Sequence, residues 1–127
     1  MVGIDSNNGV FLTKEEWETF IRWGIPVRYN RNKKKSFCQI CGKPPSKDNP
    51  FDHSHMIGYS VGIVTFGLTP DFLNSDENIV SAHRKLCNSK AEITTQDVCE
   101  KLKSLGIDKL PDFLPSEIRD SFLNTTL

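Results

Sequence analysis

The chain has 127 residues, 37% of them hydrophobic, and its 16 basic and 16 acidic side chains give a formal net charge of zero. This length fits one small domain with a modest core, and no apolar run approaches the roughly 20 residues that span a bilayer. The N-terminus has no basic segment followed by an apolar one, so we expect a cytoplasmic protein, where a CxxC pair favours metal binding over a disulfide.

The first predicted element is a helix over residues 14–23. Thr13 and Glu16 have the spacing of a capping box, in which each side chain accepts a hydrogen bond from the backbone of the other. Gly24 and Pro26 follow, and these residue types are typical of a helix C-cap and of the stop just beyond it.

A basic segment comes next. Seven cations and no acid lie between residues 21 and 43, whereas the chain after residue 95 leans acidic. The segment is either a solvated basic loop or an arm that contacts phosphates, and its position directly before a CxxC pair favours the arm. The residues that we expect to contact nucleic acid there are Arg28, Arg31, Lys33, Lys34 and Lys35.

The centre of the chain reads as strand, long loop, strand and helix. Strands are predicted at 51–55 and 78–81, and a helix at 82–91. Between the strands, glycines and β-branched residues over 56–66 indicate a winding loop or a second short strand, and 61–68 could pair as extra strand or contact substrate. Residues 68–77 are predicted to be irregular.

Two helices are predicted after this centre. Residues 93–105 have a helical apolar stripe, with an N-cap at Thr94 or Thr95 and Gly106 at the end. Pro115 lies at or near the first position of a last helix that carries Ile118 and Phe122. These stripes are most simply explained as core packing.

A structural zinc site is indicated by the cysteines. Cys38 and Cys41 form a CxxC knuckle, and Cys87 supplies a third thiolate. The fourth ligand is either His83 or Cys99. We favour His83, because Cys99 lies beside Val98 on a predicted helix, where a buried cysteine behaves as a small hydrophobic residue.

These motifs together resemble the HNH endonucleases of the ββα-metal superfamily. C-x2-C, D-H-S-H at 52–55, an Asn at 78 and C-N at 87–88 occur in the order of that family, and D-H-S-H is closest to the D-H-x-H of the phage endonuclease VII-like branch. The resemblance covers about residues 37–91 and implies a bacterial or phage-infected cell.

The implied fold is α+β, a small zinc-stapled ββα-metal domain with flanking helices. We expect an N-terminal helix and arm over 1–36, the ββα-metal core over 37–92 and C-terminal helices over 93–127, all packed as a single domain.

The resemblance also implies a metal-dependent endonuclease that hydrolyses DNA, with RNA left open as a substrate. His53 would be the general base, while Asp52 and Asn88 would hold one Mg²⁺ or Mn²⁺, a cation that prefers oxygen ligands. Asn78 would brace the loop and orient His53. His55 would either help to fix the phosphate or be a polar residue at a strand end.

The predicted partners follow from the same resemblance. Flanking phosphates would be contacted by Arg84, Lys85 and Lys90, although lysines on helices are usually only solvated. No membrane partner is expected, and a homodimer is left open. The alternative function is a zinc-stapled nucleic-acid-binding module without catalysis.

The sequence departs from the family pattern at the second knuckle. His83 and Cys87 are separated by one residue more than a C-x2-C pair, and Lys90 follows Asn88 by two residues rather than three. One residue turns a helical position by about 100°. Asn88 can therefore reach Asp52 only if the insertion is absorbed before the helix.

Overall fold

The computed structural model of the chain describes residues 9–26 and 36–126, which contain six helices and two strands. In chain order the elements are α1 (Lys14–Trp23), β1 (Phe51–His55), α2 (Tyr59–Val64), α3 (Pro70–Leu73), β2 (Ile79–His83), α4 (Cys87–Ala91), α5 (Thr95–Ser104) and α6 (Ser116–Leu123). This mixture of helices and a small sheet has the predicted α+β character. None of the helices in these residues is long and apolar enough to cross a membrane.

Helix α1 forms where it was predicted. The Thr13 side chain accepts a hydrogen bond from the backbone N–H of Glu16, and the Glu16 carboxylate accepts one from the backbone N–H of Thr13. At the other end Gly24 has φ of 106°, which a residue with a Cβ rarely adopts. The predicted start and stop of this helix are thus both confirmed. The basic arm that follows, with Arg28, Arg31, Lys33, Lys34 and Lys35, lies outside the described residues.

The two strands form an antiparallel hairpin. Phe51 lies opposite His83, and His55 lies opposite Ile79. The first strand has the predicted bounds, but the prediction of a helix from residue 82 is wrong at its start, because α4 begins only at Cys87. Ala82 and His83 are buried and pair with β1, so ladder hydrogen bonds outweigh the polar spacing that favoured a helix.

The segment between the strands contains two short helices instead of the predicted loop or extra strand. Tyr59 and Ile63, four residues apart in α2, are both buried, so the segment packs as a helix in spite of its β-branched residues. Leu68 alone makes an isolated β-bridge, to Phe11. Gly62 lies against α3, where an added Cβ would be 2.6 Å from Cδ2 of Leu73.

Helices α5 and α6 agree with the prediction. Thr94 is the N-cap of α5 and accepts a hydrogen bond from the backbone N–H of Asp97, and Gly106 follows the helix with φ of 93°. Pro115 is the N-cap of α6, one residue before the helix begins.

Most of the buried apolar residues in the described part of the chain belong to two clusters. The larger one joins α2 and α3 to α5 and α6 and includes Leu12, Phe66, Leu102 and Phe122. The smaller one consists of Cys38, Phe51 and Ala82. The hairpin and the CxxC segment therefore have little apolar core of their own, which is the situation in which small domains use a metal.

Candidate metal centre and active site

The CxxC segment folds into a tight turn around one sulfur. The backbone N–H groups of Ile40 and Cys41 both point to Sγ of Cys38, each at 3.4 Å, and the N–H of Gly42 donates to the Cys38 carbonyl at 2.7 Å. Gly42 has φ of 83°, a conformation that favours glycine. This turn presents Cys38 and Cys41 to the end of β2.

His83, the last residue of β2, completes the cluster with Cys87. Its Nδ1 lies 3.4 Å from Sγ of Cys41 and 3.7 Å from Sγ of Cys87. Its Nε2 lies 2.8 Å from the carbonyl oxygen of Pro44, which can only accept a hydrogen bond. In the neutral ring this contact places the hydrogen on Nε2 and leaves the lone pair of Nδ1 directed towards the sulfurs.

The donor set fits a tetrahedral zinc ion. All four ligand atoms of Cys38, Cys41, His83 and Cys87 lie within 4.8 Å of one another. Bond lengths to zinc of about 2.3 Å for sulfur and 2.05 Å for nitrogen would separate a sulfur from a nitrogen by about 3.6 Å at a tetrahedral angle. The distances from Nδ1 agree with this value, so these residues could hold a metal ion such as zinc.

Cys99, the alternative fourth ligand, does not belong to this group. It is fully buried in the larger apolar cluster together with Val98 and Leu102. Burial raises its pKa, as expected for a thiol that packs as a hydrophobic residue. The donors that could hold a metal therefore group with His83, as expected, and not with Cys99.

Electrostatics in the cluster suit a cation. Burial alone would raise the pKa of Cys38, but backbone N–H groups that point to its sulfur outweigh burial and lower the pKa to about 6. Burial, followed by hydrogen bonds and repulsion from Cys38 and Cys41, raises the pKa of Cys87 to about 11. A bound cation would remove the repulsion between the thiolates, because it neutralises their charge and deprotonates the thiols that coordinate it.

The extra residue of the second knuckle is absorbed in the turn between β2 and α4. His83 belongs to the strand, and the backbone N–H of Cys87 donates to the carbonyl of Lys85 at 2.8 Å across Leu86. Leu86 has φ of 72° and ψ of −55°, which is a γ-turn with positive φ, a rare and strained conformation. Helix α4 begins after the inserted residue, so the insertion does not change the direction in which Asn88 projects from the helix.

Asn88 contacts the first strand through Ser54. The hydroxyl of Ser54 donates a hydrogen bond to Oδ1 of Asn88. Asp52 precedes Ser54 by two residues, so both side chains project from the same face of β1, about 6.6 Å apart along the strand. Helix α4 thus brings Asn88 to the face that carries Asp52. Ser54 was not among the predicted site residues, although its alternation with Asp52 could have identified it.

The Asp52 carboxylate is engaged by Arg84. Nε of Arg84 lies 3.2 Å from each carboxylate oxygen, and one terminal nitrogen lies 3.0 Å from Oδ1. The hydrogen bond and the charge of Asp52 raise the pKa of Arg84. The guanidinium of Arg84, which was predicted to contact phosphate, thus binds the carboxylate of a predicted metal ligand, and its contact with phosphate stays a prediction. Lys85 and Lys90 are exposed.

Asn78 is fully buried and bridges the two ends of the loop between the strands. Its Oδ1 accepts from the N–H of Ile57 at 2.7 Å, and its Nδ2 donates to the carbonyls of Ile57 and Leu73 at 3.0 Å and 2.9 Å. The contacts tie β2 to the start of α2 and the end of α3. The further role predicted for Asn78, the orientation of His53, stays a prediction.

The two histidines of β1 lie on the face opposite Asp52. His53 is half-buried and pairs with Ser81 in the sheet register. His55 is buried, with Nε2 2.9 Å from Oδ1 of Asn74 and its ring 5.6 Å from that of Tyr59. No motif in the sequence points to Asn74 or Tyr59, because both lie between the strands, where the prediction is a loop, a short strand or irregular structure.

A cavity of about 290 Å³ opens beside His55 and Tyr59. Ser54, His55 and Asn88 line it together with Glu92, one turn after Asn88 on the chain. Polar side chains from both strand faces and from the end of α4 therefore meet at one opening.

Comparisons of the chain with protein-family models, with curated proteins and with solved structures found no match. The resemblance to HNH endonucleases therefore rests on the sequence motifs alone.

Proposed function

We propose that the protein is a metal-dependent endonuclease of the HNH type that hydrolyses DNA phosphodiester bonds. The observation that carries the proposal is the contact between Ser54 and Asn88, because it brings Asn88 to the face of β1 that carries Asp52. A neighbouring zinc cluster would hold the knuckle, the hairpin and α4 in this arrangement.

Asp52 and Asn88 would hold one divalent cation. A carboxylate and an amide oxygen are suitable donors for Mg²⁺ or Mn²⁺, which keep several waters in such sites. When bound, the cation supplies a positive charge to the phosphate and to the departing oxygen. Both side chains have partners that would have to give way, Arg84 for Asp52 and Ser54 for Asn88.

His53 would accept a proton from the attacking water at an imidazole nitrogen. It follows Asp52 directly and projects from the other face of β1, which in the described part of the chain pairs on one edge only, with β2. A phosphodiester at the other edge could therefore meet side chains from both faces. A positioned histidine base contributes about 10²- to 10⁴-fold to such a reaction.

The decisive experiment is plasmid nicking by the zinc-loaded chain with Mg²⁺ and with EDTA. We expect cleavage with Mg²⁺ that falls at least about 100-fold in His53→Ala. Ser121→Ala, an exposed position on α6, should cleave as the wild type does. Cleavage by His53→Ala at the wild-type rate, with zinc content and circular dichroism unchanged, would remove His53 as the base.

A second candidate is a zinc-stapled nucleic-acid-binding module without catalysis. The bidentate ion pair of Arg84 with Asp52 favours it, because a carboxylate neutralised in this way needs no metal. The two candidates differ in the response to Asp52→Asn. The endonuclease would lose its Mg²⁺-dependent cleavage, whereas the binding module would retain DNA affinity and show no cleavage in either form.

A further inference from the structure

Arg84 occupies the two oxygens that the proposed endonuclease needs for its cation. Its guanidinium reaches both carboxylate oxygens of Asp52 at 3.0 to 3.2 Å. A cation on Asp52 and the guanidinium on Asp52 are therefore competitors for the same lone pairs.

The backbone at Arg84 is held while its side chain is exposed. The N–H of Arg84 donates to the carbonyl of Pro50 at 2.8 Å, directly after the last residue of β2. The Arg84 side chain is 61% exposed and that of Asp52 is 31% exposed. The guanidinium can thus turn towards solvent without any change in the strands.

A phosphate group is a suitable second partner for this guanidinium. Arginine binds carboxylates and phosphates with the same bidentate geometry, and exposed ion pairs are weak enough to exchange. Exchange would place Arg84 on the nucleic-acid backbone and at the same time release Asp52.

We propose that Arg84 is a positioning residue that couples phosphate binding to cation binding, by holding Asp52 until a phosphate of the nucleic acid takes its guanidinium. This inference rests on the proposed function, since it requires Asp52 to be a cation ligand. Its consequence is that the cation and the nucleic acid each increase the affinity for the other, as linkage requires.

The test measures Mn²⁺ affinity by electron paramagnetic resonance, on the full zinc-loaded chain that carries His53→Ala to prevent cleavage. The double variant that also carries Arg84→Ala should bind Mn²⁺ about five-fold more tightly than this starting protein when no DNA is present, because the competing ion pair is gone. A duplex oligonucleotide should increase Mn²⁺ affinity about five-fold less in Arg84→Ala than in the starting protein.

Lys47→Ala is the matched control, because it removes the same charge from an exposed residue in the segment between the CxxC turn and β1. It should change Mn²⁺ affinity less than about two-fold, which separates direct competition from a general loss of positive charge. Equal Mn²⁺ affinities, or equal effects of DNA, in Arg84→Ala and the starting protein would overturn the inference.

Asp52→Asn distinguishes this failure from failure of the proposed function. If Asp52→Asn abolishes Mn²⁺ binding while Arg84→Ala behaves as the starting protein does, the coupling alone is wrong. If Asp52→Asn leaves Mn²⁺ affinity unchanged, Asp52 is not a ligand and the metal assignment of the endonuclease fails, and the coupling with it.

Discussion

At the scale of single residues, the side chain of Asn78 shows how one buried polar group can organise a loop. Its amide makes three hydrogen bonds to backbone groups of Ile57 and Leu73, which flank the two short helices between the strands. Asparagine suits this position because its side chain offers a donor and an acceptor at once, as a peptide group does.

Replacement of Asn78 by alanine should lower the free energy of unfolding by about 3 kcal/mol, because it leaves buried backbone groups without partners. Urea denaturation of the zinc-loaded protein measures the change. Asn124→Ala at the exposed C-cap of α6 is the control and should cost less than about 0.5 kcal/mol. Equal losses for the two variants would show that the Asn78 contacts contribute no more than a surface residue.

A second prediction at the scale of single residues concerns zinc binding by His83. His83→Ala should lose bound zinc, since it removes the nitrogen that lies between two sulfurs, whereas His83→Cys should retain zinc by restoring a fourth donor. Cys99→Ala should keep one zinc per chain. Metal analysis of the purified proteins measures the stoichiometry, and zinc lost from Cys99→Ala but kept by His83→Ala would reverse the assignment.

At the scale of elements, the turn between β2 and α4 determines where α4 points. Leu86 is the one non-glycine residue of the described chain with a positive φ, and the residue is 76% exposed. The strain is therefore not balanced by burial of the leucine. Its position next to Cys87 suggests that the zinc ligands on both sides hold the turn in place.

Leu86→Gly should raise the free energy of unfolding of the zinc-loaded protein by about 1 kcal/mol, because glycine adopts this φ without strain. Leu123→Gly is matched in exposure, at 61%, but lies at the end of α6. The free energy of unfolding of that variant should be lower than that of the wild type by about 0.5 to 1 kcal/mol. Thermal unfolding of both variants measures the difference. If Leu86→Gly lowers stability as much as Leu123→Gly does, the backbone at Leu86 is not strained.

Helices α1 and α2 differ in how well the sequence predicts them. Helix α1 was predictable because Thr13, Glu16 and Gly24 determine its ends through local hydrogen bonds and φ. Helix α2 was not, because its helical form depends on the burial of Tyr59 and Ile63 against distant residues. Local signals predict an element only where the local interactions decide it.

At the scale of the whole molecule, the two apolar clusters differ greatly in size. The larger cluster includes residues from the N-terminal, central and C-terminal parts of the chain, from Leu12 to Phe122. The apolar cluster of the hairpin region has only three buried members, and it lies beside the metal cluster. A two-stranded hairpin alone is at best marginally stable in water. The stability of the hairpin half should therefore depend on zinc.

Removal of zinc by a strong chelator should thus affect the molecule unevenly. Hydrogen exchange should lose protection in the CxxC turn, in β1 and β2 and in α4, while α5 and α6 keep most of theirs. The N–H of Gln39, which donates to Ser81 at 2.8 Å, and that of Leu102 in α5 are suitable reporters. Equal loss of protection at both reporters would show a single cooperative unit instead.

The sequence by itself determined both ends of α1, the C-terminal end of α5, the first strand, the α+β character and the residues available for a Cys₃His metal group. These features follow from spacing, capping and donor chemistry, which are local properties of the chain. Tertiary structure decided that His83 ends a strand and faces Cys41 and Cys87, since that depends on ladder pairing with Phe51. It also decided that Asp52 is held by Arg84 and that Asn88 meets Ser54, because each pair joins residues more than 30 positions apart.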